Sequence, residues 1–158
     1  MQRLWAPWRL AYLDDARSAN PPCPFCPPQK HILYEATWGV VMLNRFPSGY
    51  GHLLIASRHH FSPYRLHRQS RHELAHLVDA AVEILDRYLK PDGFNVGMNI
   101  GLDAGASIPD HAHWHVLPRW RGDHNYLPVL ADVKTLPELL DQTTAKMVPW
   151  FADVKEML

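Results

Sequence analysis

Residues 111–117 read His-Ala-His-Trp-His-Val-Leu and are the most informative segment of the chain. A β-strand sends successive side chains to opposite faces, so the three histidines share one face. Neighbouring histidines of this row are about 6.6 Å apart along the strand. Ala112, Trp114 and Val116 then point the other way, where they can enter an apolar core. The segment therefore predicts a half-buried strand with one face made entirely of imidazoles.

Two chemistries use such a row of imidazoles. A neutral imidazole is a good nucleophile at phosphorus near neutral pH, and protonated neighbours donate hydrogen bonds to phosphate oxygens. Alternatively, alternate histidines on a strand share one zinc ion in a catalytic metal site. The spacing of His111, His113 and His115 does not by itself separate these two hypotheses.

The loop before the row favours phosphorus chemistry. Residues 101–110 read GLDAGASIPD, and the small residues Gly101, Gly105 and Ala106 let backbone N–H groups approach an anion. Ser107 adds a hydroxyl group. A phosphate-binding loop next to the imidazole row is typical of phosphoryl transfer.

Other strands are indicated by apolar and β-branched runs between turn residues. Trp38–Leu43 and His52–Ala56 are two such runs, separated by Asn, Pro, Ser and Gly. Phe94–Ile100 alternates between apolar and polar residues and predicts a further strand. Together with the histidine segment, these runs predict a sheet.

One long helix is predicted over residues 70–90. Ser70 and Glu73 have the spacing of a capping box, and apolar residues follow at helical intervals until Pro91 ends the pattern. Residues 132–158 are predicted to be helical in pieces. Strands and helices in this arrangement predict an α+β protein.

Composition is typical of a globular chain of one domain. The chain has 158 residues, 47% of them hydrophobic, with 16 Lys and Arg against 16 Asp and Glu. Balanced charge gives no reason to expect a nucleic-acid or membrane partner. No signal peptide or long apolar span is recognisable, so we expect a cytoplasmic protein with reduced cysteines.

The two cysteines form a short motif. Cys23-Pro-Phe-Cys26 has the spacing of a zinc knuckle, and tetrahedral zinc needs two further ligands. A redox pair and two reduced loop cysteines are the alternatives. The absence of a thioredoxin-like βαβ pattern around the pair disfavours the redox interpretation.

The histidine segment resembles the signature of the histidine triad (HIT) family, in which histidines alternate with apolar residues. The similarity extends over nearly the whole chain, including NRFP at 44–47 and GHLLIASRHH at 51–60. Segments LWAPWR at 4–9 and NYLPVLADVK at 125–134 are similar to the bacterial branch that is related to diadenosine tetraphosphate phosphorylases and hydrolases.

The resemblance implies an architecture. We expect a HIT-like fold with a mostly antiparallel sheet of about five strands, one long helix and a C-terminal helical segment. Residues 1–158 would form one HIT domain, with an N-terminal extension at 1–30 that carries the CxxC loop and a C-terminal extension at 123–158. Family members pair as homodimers through the helix and a sheet edge, and we expect the same here.

The resemblance also implies roles for the triad. His113, the middle histidine, would be the nucleophile that becomes nucleotidylated, and His115 would contact the phosphate and stabilise charge in the transition state. His111 completes the catalytic row.

For nucleotide binding, Asn44 matches the family position that binds ribose hydroxyls, and Asn99 matches a position near the α-phosphate that is often Gln. Asn is one methylene shorter than Gln, which limits its reach. The phosphate loop would consist of Gly105, Ala106 and Ser107, with His115 also contacting the nucleotide.

Zinc-bearing members of the family take a histidine ten positions into the GH strand and the first triad histidine as ligands. The corresponding set here is Cys23, Cys26, His60 and His111, with His59 as an alternative to His60. The resemblance implies one closed, structural zinc site per chain.

The implied reaction has two steps through a covalent nucleotidyl-histidine, with water or inorganic phosphate as the final acceptor. The implied substrate is a dinucleoside polyphosphate similar to diadenosine tetraphosphate. Alternatives are a nucleoside phosphoramidase of the same family, a zinc-dependent phosphohydrolase with the three histidines on one metal, and a nucleotide-binding module without turnover.

Overall fold

The computed structural model describes residues 23–27, 30–123 and 136–157. The predicted extensions at 1–30 and 123–158 are therefore described only in part. The segments at 4–9 and 125–134, which carry part of the family resemblance, lie outside the described residues.

Five antiparallel strands form one sheet: β1 (Ile32–Glu35), β2 (Gly39–Leu43), β3 (Leu53–Ser57), β4 (Gly93–Gly97) and β5 (His113–Arg119). Their order across the sheet is β1-β2-β3-β5-β4. The predicted α+β class and the predicted five-stranded antiparallel sheet are confirmed.

The strand boundaries differ from the predicted ones in informative ways. β1 was not predicted, because its four residues are too few to show a period of two. The segment predicted as Phe94–Ile100 leaves the sheet after Gly97. The first triad histidine precedes β5, because Ala112 bonds outside the ladder: its N–H donates to the Phe61 carbonyl and its carbonyl accepts from Ser57.

Helix α1 spans Arg68–Leu89, close to the predicted 70–90. Its N-cap is His67, whose ring accepts the Ser70 N–H at 3.2 Å. The predicted capping box is therefore wrong: Ser70 is buried in the first turn, and Glu73 accepts instead from the Trp38 N–H at the start of β2. Histidine is not one of the usual N-cap residues, but the His67 ring satisfies a free N–H group at the start of the helix in the same way.

Helix α1 covers one face of the sheet and forms the main core with it. Gly39 permits close approach, because a Cβ there would lie 2.4 Å from the Leu77 Cδ1 atom. Each fully buried Leu or Ile contributes about 1.5–3 kcal/mol. The main core joins these helix and sheet residues: Leu74, Leu77, Ala81, Ile84, Leu85, Val41, Leu43, Leu53, Ile55, Ala112 and Val116.

The C-terminal segment is helical in pieces, as predicted, and these pieces pack against one end of the core. Helix α2 (Leu140–Met147) is followed by a 3₁₀ turn (Val148–Phe151) and helix α3 (Val154–Met157). The side chains of Met147 and Phe151 are almost fully buried in the main core. None of the described helices combines the length and the apolar character that crossing a membrane requires.

The opposite face of the sheet carries a smaller apolar cluster, which we call the second cluster. It consists of Phe25, Val40, Met42, Leu54 and Ala56. The residues from β2 and β3 alternate with residues of the main core, as the period of a strand requires. The triad faces this side of the sheet.

Candidate active site and metal centre

The predicted alternation of the histidine segment is present. His113 and His115 lie opposite Ala56 and Leu54 of β3, on the face of the second cluster. Ala112 and Val116 are fully buried against α1. The rings of His113 and His115 are in edge contact, with centroids 5.2 Å apart.

The ring of His113 is held in one tautomer. Its Nδ1 lies 2.8 Å from the His111 carbonyl oxygen, and because a carbonyl only accepts, Nδ1 carries the proton. Nε2 is then unprotonated, and it has no hydrogen-bond partner among residues 23–27, 30–123 and 136–157. Burial, with only 3% of the residue exposed, lowers the pKa of His113 below its usual 6.5. The ring therefore presents a neutral, nucleophilic Nε2 at neutral pH.

His115 is oriented by His52, a residue that the sequence analysis did not select. The Ser48 N–H donates to His52 Nδ1 at 2.9 Å, so the proton of the neutral ring is on Nε2. That proton is donated to His115 Nδ1 at 3.0 Å. His115 consequently carries its own proton on Nε2, where it can act as a donor. Burial and the neighbouring His113 lower the pKa of His115.

A signal for His52 was present in the sequence. The alternation of His52, Leu54 and Ala56 places the three side chains on one face, the face that pairs with the triad. Only the pairing of β3 with β5, which is a property of the tertiary structure, shows that this face matters.

The small-residue loop has the turn conformations that its glycines suggest. Gly101 and Gly105 have φ angles of 90° and 87°, which favour glycine. The N–H groups of Gly105 and Ala106 donate to loop carbonyls at 2.9 and 3.1 Å, so they are already engaged within the loop. Ser107 is exposed, and neither its hydroxyl nor its N–H has a partner in the part of the chain that the structure describes.

The two predicted asparagines make local contacts. Asn44 Oδ1 accepts the Phe46 N–H at 2.9 Å, and its amide nitrogen lies 3.4 Å from His52 Nδ1. Asn99 donates to the Gly105 carbonyl at 3.4 Å. Asn44 thus lies beside the residue that orients His115, and Asn99 lies against the small-residue loop.

The four predicted zinc ligands come together. His111 Nδ1 lies 3.4 Å from Cys23 Sγ, 3.2 Å from Cys26 Sγ and 3.3 Å from His60 Nδ1. Cys26 Sγ lies 3.5 Å from His60 Nδ1, and all four ligand atoms are within 4.8 Å of one another. Tetrahedral bonds of zinc to sulfur and nitrogen separate ligand atoms by about 3.3–3.8 Å. Two thiols and two imidazoles at these distances fit zinc.

The second ring nitrogen of His111 supports this fit. Its Nε2 lies 2.6 Å from the Ser57 carbonyl oxygen, so Nε2 carries the proton and Nδ1 offers a lone pair to the cysteines. Burial lowers the pKa of His111 to about 4. Burial also raises the pKa of Cys23 to about 11, so this thiol keeps its proton at neutral pH unless a bound metal stabilises the thiolate.

The alternative ligand His59 faces other residues. Its ring centroid lies 5.5 Å from that of Trp38 and 6.1 Å from that of Phe61. The ring of His60 lies 5.2 Å from that of His111. His60 is therefore the histidine that joins the two cysteines.

The triad does not converge on one metal position. Within the described ranges, the one group of three or more potential ligands contains a single triad ring, that of His111. Of the three triad histidines, His111 thus belongs to the cluster that contains the two cysteines, whereas His113 and His115 lie outside it.

Comparison with known proteins places this geometry in context. The HIT domain matches residues 28–122. The chain is 34% identical over 157 residues to a protein named AP-4-A phosphorylase from Mycobacterium tuberculosis, covering 90% of this chain and 80% of that protein.

Solved structures show the same fold. A zinc-bound histidine triad family protein from Mycobacterium smegmatis aligns with a TM-score of 0.68 at 21% identity, covering 86% of this chain and 97% of that one. A hypothetical histidine triad nucleotide-binding protein from Sulfolobus tokodaii aligns with a TM-score of 0.65 at 24% identity, covering 85% and 91%. With the matched domain and the histidine row of β5, these findings identify the chain as a member of the HIT domain family.

Proposed function

We propose that this protein is a nucleotidyl-transferring enzyme in which His113 Nε2 attacks the α-phosphorus of a nucleotide. The observation that carries the proposal is the 2.8 Å hydrogen bond from His113 Nδ1 to the His111 carbonyl. It leaves Nε2 with a lone pair and without a partner among the described residues, which is the state that a nucleophile needs.

The first step forms a bond between Nε2 and the α-phosphorus and breaks the bond from that phosphorus to its leaving oxygen. The rest of the substrate departs with that oxygen, which keeps the electron pair of the broken bond. In the second step, water or inorganic phosphate attacks the same phosphorus, the P–N bond breaks, and the electron pair returns to Nε2.

His115 supplies a proton donor to this reaction. Because His52 donates to its Nδ1, the proton of His115 is on Nε2, and this N–H is available to a phosphate oxygen or to the leaving oxygen. The exposed hydroxyl of Ser107 is a second donor, and we place it at the non-bridging oxygens. Asn44 and Asn99 complete the proposed nucleotide-binding set together with Gly105 and Ala106, whose N–H groups bond within the loop and hold the turn that presents Ser107.

For the substrate, we infer a dinucleoside polyphosphate similar to diadenosine tetraphosphate. The support is the 34% identity to the Mycobacterium tuberculosis protein named AP-4-A phosphorylase over most of both chains. The balanced charge of the chain agrees with a small anionic substrate bound by a few local donors.

We further propose one structural zinc ion per chain, held by Cys23, Cys26, His60 and His111. The four ligands leave no open position, so the ion would stabilise the fold and would not bind substrate. The support is the spacing of the four ligand atoms and the carbonyl that fixes the His111 ring.

We also propose a homodimer through the edge of the sheet. Strand β4 lies at one edge of the sheet, with no further strand beside it among the described residues, and its Val96 is 44% exposed. Sedimentation equilibrium of the native protein and of Val96→Lys tests this. A dimer that dissociates in the variant is expected, and a monomeric native protein would contradict it.

The stereochemical course at phosphorus tests the mechanism. Each in-line displacement inverts the α-phosphorus, so two steps give net retention and one step gives net inversion. Hydrolysis of a substrate with a chiral α-phosphorothioate in ¹⁸O-labelled water, which makes the product phosphorus chiral, should proceed with retention. Inversion would show that water or phosphate attacks the substrate directly, and would exclude the covalent intermediate.

The acceptor is determined separately by the products. Diadenosine tetraphosphate without phosphate should give AMP if water is the acceptor. With inorganic phosphate added, ADP should replace AMP if the enzyme is a phosphorylase. The absence of turnover under both conditions would contradict the proposed substrate class.

A further inference from the structure

We propose that Phe25 is a positioning residue that links the cysteine pair to the nucleophile. The inference rests on the proposed roles of His113 and of the zinc ligands. It assigns a function to the residue between the two cysteines, which neither the metal site nor the chemistry explains by itself.

The burial of Phe25 is the first observation. The residue lies in a four-residue turn, closed by the Cys26 N–H donating to the Cys23 carbonyl at 3.1 Å. Such a turn would usually project its central side chains into solvent. Pro24 is exposed, whereas only 3% of Phe25 is accessible, because its ring enters the second cluster.

The position of the Phe25 ring is the second observation. Its centroid lies 4.9 Å from that of His111, with an angle of 47° between the planes, and 4.9 Å from that of His113, with an angle of 35°. Phe25 therefore contacts a predicted metal ligand and the predicted nucleophile at once. Both distances are within the range of direct aromatic packing.

Two of the contacts that orient the His113 ring have a common origin. One is the His111 carbonyl that accepts from Nδ1, and the other is the ring of Phe25. The carbonyl belongs to His111, which is one of the proposed zinc ligands. Phe25 lies in the sequence between two others, Cys23 and Cys26. Binding of a metal by Cys23, Cys26 and His111 would fix both contacts relative to one another.

The consequence is a coupling between metal content and the orientation of the nucleophile. Phe25 has no polar atom, so it acts on His113 through packing. It limits rotation of the imidazole and keeps Nδ1 directed at the carbonyl. Without that support, the ring can rotate and exchange tautomers, and Nε2 is no longer aimed at the phosphorus. A misplacement of this kind costs up to about 100-fold in rate.

The test uses Phe25→Ala and Phe25→Leu in the full chain, each with its zinc content measured. Phe25→Leu keeps most of the apolar volume and guards against misfolding of the alanine variant. Val40→Ala is the matched control, because Val40 is a fully buried member of the second cluster that is not in the cysteine turn.

Two readouts separate positioning from simple stabilisation. Long-range ¹H–¹⁵N spectra of the histidine rings report the tautomer of His113, and single-turnover mixing with diadenosine tetraphosphate reports the rate of the first step. We expect one Nδ1–H tautomer in the native protein and in Val40→Ala. In Phe25→Ala we expect a mixture of tautomers and a first step slowed by about 10- to 100-fold, with a smaller change in Phe25→Leu.

Removal of zinc from the native protein, with folding verified by circular dichroism, should produce the same tautomer change as Phe25→Ala. The proposal is overturned if both Phe25 variants, at native zinc content, keep the native tautomer and a first-step rate within about twofold of native. An unchanged His113 spectrum after zinc removal would also overturn it. The spectra require no turnover, so they test Phe25 even if the covalent mechanism fails.

Discussion

His111 and His113 are the same residue type, lie two positions apart in the chain, and are both buried. Each donates one ring N–H to a backbone carbonyl. They differ in which nitrogen donates: His111 uses Nε2 toward Ser57, and His113 uses Nδ1 toward His111. The nitrogen that remains faces two thiols in the first case and has no partner among the described residues in the second.

The comparison shows that the position of a carbonyl, and not the imidazole itself, determines which nitrogen of each ring keeps its lone pair. A carbonyl fixes the tautomer, and the tautomer determines where the lone pair points. The structural elements around each ring then determine which group lies next to that lone pair. At His111 it is the cysteine turn, and at His113 we propose that it is phosphorus.

The largest expected effect is the loss of the proposed nucleophile. Replacement of His113 with Ala should lower kcat by at least about 10⁴-fold, because no other described group takes its place. Nucleotide affinity, measured by calorimetry with a non-hydrolysable analogue, should persist. A His113→Ala variant that keeps more than a tenth of native turnover would show that His113 is not the nucleophile.

Loss of the proposed metal should affect the end of the histidine row that contains His111, and its effect should be on stability. His60→Ala should lower the free energy of unfolding by more than about 3 kcal/mol, because loss of a metal belongs to the large destabilising changes. For a chain of this length, that corresponds to about 6–12 °C in Tm. The measurement is thermal unfolding, with zinc content determined by mass spectrometry.

The control for this change is the adjacent histidine. His59→Ala should change Tm by less than about 4 °C and leave zinc content intact, because the His59 ring packs on Trp38 and Phe61. Equal loss of zinc in both variants would contradict the assignment of His60 as the ligand.

A smaller effect is expected at His52, which orients His115 and does not itself react. In His52→Asn the shorter amide does not span from the Ser48 N–H to His115 Nδ1. We expect kcat to fall by about 10- to 100-fold with KM little changed, because a misdirected donor mainly affects the transition state. His76→Ala, an exposed histidine of α1, is the control, and an equal loss in both variants would refute a positioning role for His52.

The smallest expected effect concerns Ser107. Ser107→Ala removes one exposed donor, which should lower kcat/KM by about tenfold, less than a fully buried oxyanion donor contributes. Ser107→Thr retains the hydroxyl and should recover most of the activity in steady-state assays. Native activity in the alanine variant would leave the loop without a chemical role.

The sequence predicted those features that depend on local periodicity. Alternation placed the imidazoles on one face, and helical spacing located α1 within two residues at each end. The cysteine pair was recognised from its spacing, whereas His60 and His111 were assigned as further ligands only through the family resemblance, because residues 88 positions apart meet solely through the fold.

The features that were missed depend on long-range pairing. His52 becomes important because β3 pairs with β5, and His67 becomes a helix cap because its ring, in place of the expected serine, reaches a free N–H. The tautomers of His111 and His113 follow from two carbonyl positions that no residue type encodes. From the sequence we predicted the residues of the row but not His52, and the structure was needed to assign which ring nitrogen of His111 and of His113 carries the proton.

The most direct test of the central claim is peptide mapping of the covalent intermediate. The native protein is mixed with diadenosine tetraphosphate, quenched in alkaline denaturant within one turnover, digested and sequenced by mass spectrometry. The account predicts a mass increase of one nucleoside monophosphate on His113, absent in His113→Ala. A modification on His111 or His115, or turnover with no modified histidine under conditions that preserve a phosphoramidate standard, would contradict it.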